Sequence, residues 1–168
     1  MKTLLNIFIT FILIGSPFIA LADTPISYQS LVRVYDESRK YCALVDDSEV
    51  TVFKGRCVTG DITYSIQGRH TNAHLSSNGE YFIAFHPGVN LVPLDSQSQT
   101  IMIQIWKSGE KKVAITLGEL LKSMDSLKRT VSHFNWGRVK TVSDYEIEIE
   151  TVEGDIKISI PDGSIRFL

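Results

Sequence analysis

"YEIEIETVEGDIKISIPDGSIRFL", from Tyr145 to Leu168, carries the clearest pattern in the chain. Glu146, Glu148 and Glu150 alternate with Tyr145, Ile147 and Ile149; after a Glu-Gly turn, Ile156, Ile158 and Ile160 alternate with Lys157 and Ser159. A period of two puts each set of side chains on its own face of a strand. The stretch therefore reads as an antiparallel hairpin with one apolar and one wet face. Glu148 or Glu150 faces Lys157 across it, a pair that fixes register and requires no substrate.

The same signal recurs towards the N-terminus. "TIMIQIW" and "KVAIT" flank the turn "KSGEK", and "EYFIAF" and "DITYSI" are further strand-like runs. "VNLVPL" contains Pro93, which confines it to an edge or an irregular strand. "LVRVYD" alternates, and "YCALVD" and "VTVFKG" flank "DSE" as a hairpin centred near Asp47 and Ser48.

That hairpin poses a problem for the two cysteines, Cys42 and Cys57. Pairing Val45 with Val50 sets Cys42 across from Phe53 and leaves Cys57 about 13 Å further on. Bridged Cα atoms stand about 5.5 Å apart. A disulfide then needs either a bend in the first strand or a turn at Lys54-Gly55, and glycine favours the turn. There is no Cys-x-x-Cys and no third cysteine, so the pair reads as a structural staple.

One helix is expected among the strands. In "TLGELLKSMDSLKRTV", Thr116 and Glu119 form a capping box. Leu117, Leu120, Leu121, Met124, Leu127 and Val131 recur at helical spacing, so the reading is an amphipathic helix over Leu117–Val131 packed on the sheet. The fold class is mainly β: an antiparallel sandwich or curled meander with one amphipathic helix.

"LSSNGEYFIAF" resembles the Ser-x-x-Gly turn and following strand in blades of β-propellers such as the WD-repeat and TolB-like families, and "TVEGDIKISIPDGSIRF" resembles a blade fragment. A complete propeller needs at least about four blades of about 40 residues, more than the 146 residues that remain once the expected signal peptide over 1–22 is removed from 168. The resemblance implies an antiparallel meander with Asn/Asp-Gly turns and carries no function with it.

The N-terminus "MKTLLNIFITFILIGSPFIALADTP" reads as a signal peptide over 1–22. Lys2 supplies the charge, Leu4 to Ile14 the apolar core, and Ala20 and Ala22 the small residues before a cut at Asp23. Residues 23–168 are then a single β-rich domain, periplasmic or secreted, with no membrane insertion after cleavage. Lys and Arg total 17 against 19 Asp and Glu, with no long basic stripe, which argues against a nucleic-acid partner.

Chemistry-bearing residues cluster in "GRHTNAHLSSNGE" and "SHFNWG". His70 and His74 are four apart, as on one side of a helical turn, yet the surrounding Thr, Asn, Ser and Gly are loop formers. No glutamate lies between them, so the pattern is not His-Glu-x-x-His. A metal site would need Glu80, His86 or His133 as a third ligand. His133, Asn135 and Trp136 leave the expected helix as a loop in which the indole either packs or recognises a partner. Together, His70, Asn72, His74, His133, Asn135 and Trp136 form a candidate binding surface. No Gly-x-Ser-x-Gly elbow is present, and neither a catalytic residue nor a cofactor is assigned. The functional expectation is a non-enzymatic module that binds another envelope or secreted macromolecule, as an accessory or inhibitory subunit. A metal-dependent or hydrolytic enzyme using His70 and His74, and a purely structural envelope module, are the alternatives.

Overall fold

A computed structural model describes residues 31–168, so the signal-peptide expectation for residues 1–22 lies outside the described residues. The first four strands, β1 (Val32–Tyr35), β2 (Tyr41–Val45), β3 (Glu49–Lys54) and β4 (Asp61–Gln67), form an antiparallel sheet in chain order. Val45 pairs with Val50 and Cys42 with Phe53, the expected register. The chain turns sharply after Lys54, with Gly55 at φ +95°. That turn returns Cys57 to Cys42, and the bridge forms with Cα atoms 5.3 Å apart.

β5 (Ala73–Leu75) and β6 (Tyr81–Phe85) follow. The short β7 (Leu91–Pro93) leaves the sheet, and the chain returns as β8 (Ile101–Lys107) and β9 (Glu110–Thr116). The resulting middle sheet has the order β5-β6-β8-β9. The Asn78-Gly79 turn behaves as its sequence suggests, with Gly79 at φ +69°. A Cβ there would lie 2.3 Å from the Tyr41 ring, so both space and dihedral select glycine.

Beyond β9 stands a single four-residue helix, α1 (Leu117–Leu120), followed by one 3₁₀ turn over Met124–Ser126. β10 (Lys128–Arg129) and β11 (His133–Asn135) pair with β7 in the order β10-β11-β7, with β7 at the edge as Pro93 requires. The last sheet, β12 (Gly137–Val142), β13 (Glu146–Thr151), β14 (Gly154–Ser159) and β15 (Ile165–Phe167), is again a meander in chain order.

The helix is a correction. Leu117, Leu120 and Leu121 are buried as the periodicity implies, but Leu121 is already extended and Val131 is 99 % exposed. The Glu119 carboxylate accepts the Thr116 amide at 2.7 Å, so the start signal operates. The stop comes from elsewhere. To continue, the helix needs the amides of Lys122 and Ser123 to reach the carbonyls of Gly118 and Glu119. The Glu153 carboxylate takes those amides instead, at 2.5 and 3.1 Å. Gly118, a poor helix former, donates its own amide to Ser98.

Two apolar cores flank the middle sheet. On one face Phe82, Ala84, Leu75 and Trp106 meet Ala43, Val45, Val50, Val52 and Ile66 of the first sheet. On the other, Ile83, Ile103, Ile105 and Ile115 meet Ile147, Ile149, Ile156 and Ile158 of the last, with α1 and Trp136 completing the layer. β6 is correspondingly buried over four consecutive residues, Tyr81–Ala84. The wet face of the β13–β14 hairpin carries the expected charges: Glu148 lies across from Lys157 in register. Lys157 reaches Glu146 at 2.6 Å, while Glu148 is taken by Lys140 at 2.8 Å.

Candidate functional site

The loop from β4 to β5 is held at both ends. The Gly68 amide donates to the Ser48 carbonyl at 2.7 Å, and Arg69 forms an ion pair with Asp47. His70 then lies against Trp106, ring centres 4.6 Å apart, and meets Phe82 edge-on at 6.3 Å. Burial pushes its pKa below the ordinary value, against the Gln67 carbonyl, which favours the charged form; Lys111 pushes the same way as burial. The Asn72 carbonyl accepts the Phe85 amide at 2.8 Å, and its side-chain amide donates to the His86 carbonyl at 3.3 Å. His86 Nδ1 accepts the Gly88 amide at 3.1 Å, which leaves the proton of the neutral ring on Nε2. Burial lowers this pKa too.

These groups meet at one end of the middle sheet. Arg69, His70, Asn72, His86 and Gln104 rim a cleft of about 220 Å³ whose floor includes Ala84 and Ile103. Two imidazoles biased towards neutrality, two amides and a guanidinium offer both donors and acceptors over an apolar floor.

His74 is not part of it. It pairs with Ile83, whose side chain faces the last sheet, whereas His70 packs on Phe82 and Trp106, which face the first. The sheet itself separates the two rings, so the four-residue spacing creates no common ligand set. His74 instead lines a depression of about 280 Å³ with Glu37, Ser77 and Asp144. Asp144 accepts the Ser77 amide at 2.7 Å and its hydroxyl as well, tying the β5–β6 turn to the β12–β13 turn. His74 Nε2 is buried with no hydrogen-bond partner. Burial lowers its pKa, and the charges of Asp144 and Glu37 act the other way.

The other expected residues are dispersed. His133 Nδ1 lies 2.9 Å from the Ser132 hydroxyl, and Asn135 rims a third depression with Lys128 and Arg138. Trp136 is corrected outright as a surface residue: it is 2 % exposed, and its indole N–H donates to the Val89 carbonyl at 2.9 Å. Of the possible third ligands, Glu80 pairs with Lys107 at 3.0 Å, and His86 and His133 lie in separate places. Among the described residues, no three His, Cys, Asp or Glu side chains are grouped to hold a metal.

No family model matches the chain, and no curated protein or solved structure matches it. The site is thus read from its own residues. Gln104 and Arg69 are its members that sequence reasoning missed. Gln104 carried a signal, as the single polar residue inside the apolar run "IMIQIW".

Proposed function

We propose that the protein is a binding module of an extracytoplasmic compartment, engaging another secreted or envelope macromolecule through the cleft at His70, Asn72 and His86. The convergence of those three residues with Gln104 carries the reading. At about 220 Å³ the cleft is below the roughly 300–1,000 Å³ of small-molecule and cofactor sites. It suits one protruding polar side chain or a turn of a partner. The Cys42–Cys57 bridge supports an oxidising location, as does the N-terminal sequence. A site that presents hydrogen-bond partners at a sheet end supports an accessory or inhibitory role.

A photoreactive amino acid placed at Thr71, on the rim, tests this in the producing cells. The expected result is a discrete covalent adduct at position 71, absent when the same group replaces the exposed Val131 and lost in His86→Ala. Equal labelling at both positions, or none at either, overturns the proposal.

A further inference from the structure

We infer that the outer face of the first sheet is a peripheral membrane-binding surface that takes the phosphate headgroups of anionic phospholipid. It lies apart from the cleft and does not depend on it.

Arg33 and Tyr35 stand on the face of β1 turned away from the core, Arg39 lies in the β1–β2 turn, and Arg56 precedes the disulfide-bonded Cys57. The three arginines, Tyr35 and Cys57 line one groove of about 380 Å³. The Cys42–Cys57 bridge assembles it, because it folds the Gly55–Gly60 loop back beside β1. Arg39 holds its guanidinium carbon 6.0 Å from the centre of the Tyr35 ring. None of the three guanidinium groups forms an ion pair with a carboxylate among the described residues. Of the two carboxylates in the β1–β2 turn, Asp36 is 2 % exposed and occupied by the Ser38 and Tyr41 amides, and Glu37 lines the separate depression at His74. Three like charges therefore share a groove that no carboxylate lines. Guanidinium forks match phosphate oxygens in geometry and charge.

Charge alone would suit any anion; the apolar neighbours select the bilayer. Val58 follows the bridge at φ +75°, an uncommon conformation for a β-branched residue, and is 63 % exposed. Ile62, in register with Phe53 and hence in one row with Cys42 and Tyr35, is 68 % exposed. Aliphatic side chains beside arginines and a half-exposed tyrosine form the combination that seats a protein at the headgroup–acyl boundary.

The test uses the protein as recovered from its producing cell, so every variant shares one N-terminus. Flotation with phosphatidylcholine vesicles, with and without phosphatidylglycerol, should show binding only to the anionic set, weakening as salt rises. Replacing Arg33, Arg39 and Arg56 by Gln together should cost about a hundredfold in vesicle affinity. A charge-matched control, Lys111, Lys112 and Lys128 to Gln, should cost several-fold at most. Hydrogen exchange on the unmodified protein gives a second readout that needs no variant. Vesicles should protect the amides of 33–40 and 55–62 above all others. Equal losses in the two variants, protection elsewhere, or binding of inorganic phosphate or an acidic peptide without vesicle binding each overturns the inference.

Discussion

His74 and Trp136 show how a residue's meaning depends on which face receives it. An unbonded buried nitrogen lowers stability by about 1–3 kcal/mol, so His74→Leu should stabilise the fold by about 1 kcal/mol at neutral pH, measured by urea unfolding. Its titration gives a second handle. The folded pKa of His74 lies below the ordinary 6.5, as do those of His70 and His86. The unfolded chain then binds protons that the folded chain resists, and stability is full above the ordinary value and lost as pH falls through the lowered ones. Melting temperature should drop as pH falls below about 6.5, and His74→Leu should shallow that drop. A steeper drop would mean that Asp144 and Glu37 outweigh burial. Trp136→Ala should cost about 3–5 kcal/mol in stability, whatever it does to binding. The indole could not be assigned from "HFNWG", because a Trp next to polar residues has the same local sequence whether its ring packs inward or outward.

The elements divide by how local their determinants are. β13 and β14 were legible because alternation, turn and cross-strand charge all lie within about twenty consecutive residues and agree. The Cys42–Cys57 geometry was legible for a similar reason: distance arithmetic on one hairpin left a turn at Gly55 as the favoured route. The segment after Thr116 was not. Its leucine spacing was genuine, yet Glu153, more than thirty residues further on, takes the two amides the helix needed. Leu120→Ala should cost about 2–5 kcal/mol, since Leu120 is fully buried. Val131→Ala should cost less than about 0.5 kcal/mol; equal costs would restore the long helix. The cleft was half legible. His70 and Asn72 lie in one loop, but His86 and Gln104 reach it only through the pairing of β6 with β5 and β8.

At the scale of the molecule, the expected antiparallel meander became, among the described residues, three four-stranded antiparallel sheets lying face to face and a three-stranded sheet, β10-β11-β7, to which β7 departs from the middle one. The three arginines of the outer groove stand at positions 33, 39 and 56 of the first sheet and its turns and meet only through the bridge, which is why they were unreadable as a group. The bridge beneath them closes a loop between positions 15 apart, so replacing both cysteines by serine should cost roughly 3 kcal/mol in urea unfolding. The same change frees the loop carrying Arg56 and Val58, and vesicle binding should fall with it even in protein that remains folded.

The middle sheet also imposes an order of birth. A chain emerging from its N-terminus can build the first core as soon as Thr116 is out, since the first sheet and the aromatic face of the middle one are then present. The isoleucine face is not fully covered until residue 160 arrives. For that interval the nascent protein is a half-book with an oily page open, and any wait in an unfolded or translocating state falls on that surface. A chain ended after Thr116 should scatter light at concentrations where the full chain stays clear. Adding charge at Ile103 should keep the truncated chain in solution while ruining the complete one.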